Sequence, residues 1–301
     1  MGRWAQHLGL ILAALCLAGG ARAGAADPFP PLYVDCRGAA SASPTVILEA
    51  GAFGASADWD LILDDLAAGG RVCAYDRAGV GRSPPRPGAR DVLTKAGEIN
   101  SLLDQIGETR PVILVGHSNG ALYIEAFARL WPGRVAGLVY VNGVNADAKD
   151  NPRLVGDLTT ERELSGLAVV AGDLGLASLV ARRLTHDETL PREAEQRKYR
   201  ALTCLPCLRV ARDEDRAIIP GLDAVSRLDD AAVRAIPTVV IVGSPWPAEK
   251  LARAWRGAEV QPAALADHAW ILDAPGATHV SPLARDRAYV DAAVGWLRSG
   301  R

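Results

Sequence analysis

The sequence is poor in aromatic side chains and carries almost no net charge. Phe, Trp and Tyr make up 5% of its 301 residues, and 35 acidic residues nearly balance 33 basic ones for a formal net charge of −2. No run of aromatics is interleaved with Lys or Arg, as stacking on bases requires, and no excess charge favours an anionic membrane surface. The composition therefore argues against a nucleic-acid partner.

The N-terminal apolar run is too short to cross a bilayer. "LGLILAALCLAGG" provides about 13 apolar residues, whereas a spanning helix needs about 20. Arg3 precedes the run, and Ala21-Arg22-Ala23 after it fits an A-x-A cleavage site. We expect residues 1–23 to be a cleaved export signal, with the mature protein secreted or periplasmic and not stably inserted in a membrane. A lipoprotein signal at Cys16 is the alternative, although Leu15 is bulky for that position.

Export makes disulfides the expected state of the remaining cysteines. Once the signal is removed, Cys36, Cys73, Cys204 and Cys207 remain, and three pairings are open. Proximity favours Cys204 with Cys207 and, by default, Cys36 with Cys73. "CLPC" is also typical of a redox motif or half a zinc site, but there is no second CxxC and no companion ligand beside His186. We expect neither a metal nor a cofactor.

Short apolar segments alternate with amphipathic ones along most of the chain, which predicts a mainly parallel sheet with helices on both faces. The alternation stops near Asn145, and residues 146 to about 235 are helical in pattern with no buried strand. It then resumes with "IPTVVIVG". No linker separates these parts. The sequence therefore predicts one α/β domain over residues 24–301 with a helical lid insertion at about 146–235.

The segment "PVILVGHSNGALYIEAF", residues 111–127, carries the chemistry. A buried strand runs into Gly-His-Ser-Asn-Gly and then into a helix, which is the context that a G-x-S-x-G nucleophile turn needs. Ser118 is the candidate nucleophile, and it requires a base. His279 lies on a loop just after the last predicted strand and follows Ser118 in chain order, which makes it the candidate base. The side chain of His117 is expected to point elsewhere.

Three motifs together resemble the α/β-hydrolase fold superfamily, and in particular its secreted or periplasmic serine hydrolase branch. They are "LEAG" at 48–51, "CAYDRAGVGRS" at 73–83 and "GHSNG" at 116–120. The resemblance implies a nucleophile, an acid and a histidine in that order. It also implies an oxyanion hole formed by the N–H groups of Asn119 and Ala52, with Phe53 as the alternative, and it places the Cys36 and Cys73 strands side by side.

The acid departs from the family pattern. The stretch after "IPTVVIVG" reads "SPWPAEK" and lacks the early aspartate, and the other familiar position holds Asn142. Asp147 is the preferred candidate because it follows closely in the loop. Glu249, at the next helix start, is the second candidate, and Asn142 or no acid at all is the third.

The predicted activity is hydrolysis of an ester or related acyl substrate, a small molecule, through an acyl-enzyme on Ser118. Two alternatives stay open: a non-hydrolytic relative (a lyase or a cofactor-free haloperoxidase-like enzyme), and a degenerate binding protein. Four apolar lid residues are candidates to line an acyl pocket: Leu174, Leu176, Leu179 and Val180. The oligomeric state is not predicted.

Overall fold

A computed structural model describes residues 29–179, 181, 190–243 and 249–300. The expected export signal lies outside this part of the chain. The strands of the described part are β1 (Val34–Arg37), β2 (Val46–Glu49), β3 (Val72–Tyr75), β4 (Val112–His117), β5 (Val135–Val141), β6 (Thr238–Val242) and β7 (Ala269–Asp273). Its α-helices are α1 (Asp60–Ala67), α2 (Val92–Gln105), α3 (Asn119–Leu130), α4 (Pro152–Asp173), α5 (Arg192–Thr203), α6 (Leu205–Ser226), α7 (Ala231–Arg234), α8 (Glu249–Glu259), α9 (Gln261–Leu265) and α10 (Ala288–Arg298).

The described strands form one seven-stranded sheet in the order β1-β3-β2-β4-β5-β6-β7. β1 pairs antiparallel with β3, and every other neighbouring pair is parallel. β2, β3, β4 and β6 are buried along their whole length, as continuous apolar strands of a covered parallel sheet should be. The predicted fold class is confirmed.

Helices cover both faces of this sheet. One core packs α2, α3 and parts of the later helices against residues such as Leu114 and Leu138. The other packs α1 and α10 against residues such as Val115 and Val139. Alternate residues of β4 and β5 thus enter opposite cores, which is the period-two pattern of a strand. Parallel strands put their carboxyl ends at one edge, and that edge receives the polar residues that follow β2, β4, β5 and β7.

The cysteine pairs are those that the sequence predicts. Cys36 and Cys73 face each other in the β1–β3 register, with sulfurs 2.05 Å apart. Cys204 and Cys207 pair between the end of α5 and the start of α6.

Helices α4, α5 and α6 lie between β5 and β6, in the segment that the sequence predicts to be a helical lid, and we refer to them as the lid insertion. Here α4 spans 22 residues, and Leu174 follows it as a C-cap. Near the C-terminus, Leu283 belongs to a 3₁₀ turn, Ser281–Leu283, which ends before α10 begins. No helix within the described residues has the length and apolarity needed to cross a membrane.

Candidate active site

The turn between β4 and α3 holds Ser118 in a strained conformation. Its φ is 52° and its ψ is −125°, a region that non-glycine residues rarely adopt. The flanking glycines are required by space: a Cβ at Gly116 would lie 2.7 Å from Cα of Ala121, and a Cβ at Gly120 would lie 2.5 Å from the carbonyl oxygen of Ala50. Strain of this kind persists where the surroundings enforce it and often marks a functional site.

Backbone hydrogen bonds fix the serine from both sides. Its N–H donates to the Val141 carbonyl at 3.1 Å, and its own carbonyl accepts from Ala121 and Val144 at 3.1 and 3.0 Å. The serine side chain lies at the amino end of α3, where the first N–H groups have no partner within the helix and favour negative charge. Asn119, whose N–H is one proposed oxyanion donor, is the first residue of that helix.

The loop after β2 lies directly against this turn. A Cβ at Gly51 would come within 2.8 Å of the Ser118 Cβ and 2.9 Å of the His117 Nδ1. Ala52 and Phe53, the two candidates for the other oxyanion donor, line the same cavity as His117. Phe53 has a φ of 56°, so this loop is also strained. The structure therefore brings both candidate donors of the loop to the serine turn.

His279 comes to the same edge on the loop after β7. Its carbonyl oxygen lies 2.8 Å from the His117 Nε2, and the two imidazole rings have centroids 4.7 Å apart. The ring of His117 lines the cavity and contacts the His279 loop, a role that the sequence pattern does not indicate.

Both imidazoles are neutral at physiological pH. Burial, with a smaller contribution from the neighbouring His117, lowers the pKa of His279 to about 3. Burial likewise lowers the pKa of His117 to about 4, against the opposing effect of its hydrogen bond to His279. A carbonyl oxygen only accepts, so His117 must carry its proton on Nε2, which leaves Nδ1 as an acceptor. A neutral imidazole is the form that a general base requires.

Asp147 is not brought to His279. It lies half-buried in a short 3₁₀ helix, Ala146–Asp150, where burial raises its pKa and Arg129 is the leading charge that acts against that rise. The preceding N–H, that of Ala146, donates to Glu125 on α3. This hydrogen bond attaches the segment before Asp147 to α3 and not to the loop after β7.

Asn142 directly follows β5 and bonds to the segments that follow β6 and β7. Its amide nitrogen donates to the carbonyls of Thr278 and His279 at 3.3 and 3.0 Å, and its amide oxygen accepts from the Gly243 N–H at 2.6 Å. It thus supports the backbone of the histidine loop. Glu249 begins α8, but its side chain lies outside the described residues.

A cavity of about 640 Å³ opens between the loop after β2 and helix α4. Its walls are mainly apolar, with Leu164, Leu167, Leu202 and Leu208 from the lid insertion among them. The polar groups that reach it include an ion pair between Lys198 and Asp58, 3.0 Å apart, and the carboxyl group of Glu161. A cavity of this size and character suits a small, largely apolar molecule.

The leucines that the sequence suggested for this cavity lie elsewhere. Leu174, Leu176 and Leu179 have exposed side chains, and Val180 lies outside the described residues. All four suggested residues follow the end of α4 at Asp173 in the sequence, whereas the cavity residues Leu164 and Leu167 lie within this helix.

The sheet, the serine turn and the histidine loop define the class of an α/β-hydrolase. The chain belongs to the alpha/beta hydrolase family, whose sequence profile matches residues 46–292. A RutD protein from Variovorax paradoxus, named for carbamate hydrolysis, is 39% identical over 114 residues, which are 37% of this chain and 42% of that relative. A non-heme chloroperoxidase from Streptomyces lividans is 38% identical over 89 residues, 29% of this chain and 32% of its own length. The chain thus matches well under half of the length of these curated relatives.

Solved structures agree with this fold. An esterase from Thermogutta terrifontis superposes with a TM-score of 0.65 at 21% identity, over 89% of this chain and 93% of that one. Epoxide hydrolase CorEH superposes with a TM-score of 0.67 at 18% identity, over 90% and 95%. At these identities the likeness establishes the shared fold, and the chemistry has to be argued from the site.

Proposed function

We propose that this hydrolase cleaves an ester or related acyl substrate through an acyl-enzyme on Ser118. The observation that carries the proposal is the close set of four parts at one sheet edge: the strained serine, the loop of Ala52, the first turn of α3 and the neutral His279 beside His117. A serine at the turn favours acyl transfer over the epoxide-opening branch of the fold, which uses an aspartate nucleophile at that position.

In the proposed mechanism, His279 takes the proton of the Ser118 hydroxyl as its oxygen attacks the acyl carbonyl carbon. The resulting oxyanion accepts hydrogen bonds from the N–H groups of Ala52 and Asn119. The imidazolium then returns the proton to the leaving alcohol, and an acyl-serine remains. Water, deprotonated by the same imidazole, hydrolyses the acyl-serine to the free acid. The mainly apolar cavity favours an apolar acyl or alcohol group.

Labelling with a fluorophosphonate tests the nucleophile. The intact protein should gain one adduct, mapped to Ser118 by peptide mass spectrometry, and Ser118→Ala should lose both the adduct and turnover of p-nitrophenyl acetate. His279→Gln should lose turnover, whereas the control His268→Gln, at an exposed position, should retain it. Turnover that persists at the wild-type rate in Ser118→Ala would contradict the proposal.

The third member of the mechanism is tested by two conservative variants. Asp147→Asn and Glu249→Gln each remove one candidate carboxylate with little change of shape. Loss of an orienting carboxylate costs on the order of 10⁴ in kcat in serine hydrolases. The bond from the neighbouring Ala146 N–H to Glu125 on α3 favours a small effect of Asp147→Asn, and a large effect would restore Asp147 as the acid.

A non-hydrolytic activity on the same serine is the second candidate, and the likeness to a non-heme chloroperoxidase favours testing it. A panel of short acyl esters, cyanohydrins and peracid-dependent halogenation separates the two activities. Slower turnover of the esters than of the other substrates would favour the second candidate.

We further propose that the protein is exported. The two cysteine pairs support an oxidising compartment. N-terminal sequencing of protein from a fractionated host should give a start near Gly24, and intact residues 1–23 in the cytoplasmic fraction would contradict export.

A further inference from the structure

Behind the loop that supplies Ala52 lies a fully buried arginine. Arg77 follows β3, and 2% of its side chain is exposed. Its guanidinium donates to the carbonyls of Ala50 and Gly51 at 2.7 and 2.9 Å, and to carboxylate oxygens of Glu49 and Glu214 at 2.8 and 3.1 Å. One planar group therefore spans four acceptors from β2, the loop and the lid insertion.

These bonds determine which way the loop N–H groups point. In a trans peptide the C=O and the following N–H point in opposite directions. Since Arg77 holds the carbonyls of Ala50 and Gly51, the N–H groups of Gly51 and Ala52 are directed away from it. This part of the loop lies against the serine turn, with the Ser118 Cβ 2.8 Å from a Cβ built at Gly51. By fixing the two carbonyls, the arginine therefore constrains the direction of the Ala52 N–H beside the nucleophile.

The lid insertion holds the arginine in turn. Glu214 lies on α6, and it contacts Arg77 at 3.0 Å and Lys95 at 2.9 Å. Burial alone would raise the pKa of Glu214, but Arg77 and Lys95 lower it to about 2, so the carboxylate stays charged. The charged carboxylate of Glu214, on the lid insertion, is thereby bonded to the Arg77 guanidinium that holds the loop.

We propose that Arg77 is a positioning residue for the oxyanion donor Ala52, and that Glu214 makes this positioning depend on the seating of α6. The inference rests on the proposed function and deepens it. It predicts that the network acts on the charged, tetrahedral state of the reaction and leaves the binding of an uncharged ligand in the cavity unchanged.

Arg77→Lys tests the role of the guanidinium. Lysine keeps the charge, but its compact ammonium cannot span the four acceptors. With the Ala52 N–H misaligned, kcat should fall by about 10² to 10³, the cost of losing one oxyanion donor, with KM little changed. Glu214→Gln exchanges a charge-assisted hydrogen bond for a neutral one, and it should lower kcat by about tenfold.

A pair of inhibitors separates positioning from a general structural role. An aryl trifluoromethyl ketone adds to the serine and places an oxyanion between the donors, whereas the matching secondary alcohol fills the cavity without adding. In Arg77→Lys the inhibition constant of the ketone should rise in parallel with the loss of kcat/KM, and that of the alcohol should stay at the wild-type value.

Arg134→Lys is the matched control. Arg134 also donates to two backbone carbonyls, those of Asn100 and Glu108, and pairs with a carboxylate, that of Asp104. It precedes β5, at the opposite edge of the sheet from Ser118. This variant should lose stability and keep kcat and both inhibition constants.

Three results would overturn the inference: wild-type ketone affinity in folded Arg77→Lys, equal losses for ketone and alcohol, or wild-type kcat in Glu214→Gln. The Glu214 variant keeps the test open if Arg77→Lys does not fold, which thermal unfolding at the assay pH will establish. Wild-type protein that is not labelled at Ser118 would end the proposed function, whereas labelled wild type with an unaffected Arg77→Lys ends this inference alone.

Discussion

Replacing Asn142 by Asp would install a carboxylate at a position where relatives of this fold carry their acid. The local geometry predicts harm from this change. Both carbonyls that face the Asn142 amide nitrogen, those of Thr278 and His279, need a donor, and an ionised carboxylate offers none. The backbone is no obstacle, because a φ of 43° suits Asn and Asp alike. Asn142→Asp therefore tests the loss of the amide N–H donor separately from any change of backbone conformation.

The magnitude follows from the burial of the site, since 2% of Asn142 is exposed. Two lost hydrogen bonds cost about 2 kcal/mol. The new carboxyl can keep one donor by holding a proton, which costs up to about 1.4 kcal/mol for each pH unit above its ordinary pKa of about 3.9. Its folded pKa is then raised above the unfolded value, so stability is retained below the unfolded pKa and lost as pH rises. We expect Tm to fall by roughly 4–8 °C at pH 5 and further at pH 8.

Urea unfolding at pH 5 and pH 8, with ester turnover at each pH, measures both effects. Displacement of the His279 loop should lower kcat by on the order of 10²-fold. Asn145→Asp is the control, because Asn145 is also buried and donates to one carbonyl, that of Ala258. It should show a similar pH-dependent loss of stability with the kcat of the folded protein retained. An Asn142→Asp protein that is as stable as wild type and turns over faster would refute this reasoning.

Two further predictions concern the lid insertion and the disulfides. Burial, with Asp157 nearby, raises the pKa of Glu161 to about 7, so ionisation of this cavity carboxyl should raise KM for an uncharged ester as pH passes 7. Glu161→Gln should flatten that rise in a pH profile of KM, and Glu163→Gln, an exposed change on the same helix, should not. If both variants keep the wild-type profile, Glu161 does not govern the cavity. Removing Cys36–Cys73 as a double Ala variant should cost about 4 kcal/mol by loop entropy, against about 2 kcal/mol for Cys204–Cys207. Urea unfolding of the two double variants measures this, and equal costs would contradict the entropic account.

Sequence patterns predicted most of the scaffold because the relevant physics is local. A buried strand, two glycines and an amphipathic helix are contiguous in residues 111–127, so the serine turn could be located without tertiary information. The position of His279 followed from a rule of parallel sheets, since carboxyl ends of strands meet at one edge. For the serine turn and His279, short-range pattern and sheet geometry were sufficient. The placement of the Cys36 and Cys73 strands side by side came from the resemblance to the α/β-hydrolase superfamily.

The parts that sequence did not predict depend on directions taken by loops and on bonds across the fold. Asp147 is the preferred acid in the sequence because it follows β5 closely, but the bond from the Ala146 N–H to Glu125 determines the course of that loop. No residue spacing in the sequence indicates this bond. The same holds for the cavity residues Leu164 and Leu167 of α4, which no spacing in the sequence distinguishes from the leucines that follow the helix.

The "DRAGVGRS" stretch shows the limit most clearly. Its spacing identifies a family motif but does not indicate the bonds that its polar groups make across the fold. Asp76 accepts from the Arg82 N–H within the turn and from the Ser56 N–H of the segment after β2. Arg77 donates to the carbonyls of the loop after β2. A buried arginine with two carboxylates would ordinarily be a poor source of stability, because desolvation offsets the attraction. Its four directional bonds are better explained by the orientation that they impose on the backbone facing Ser118.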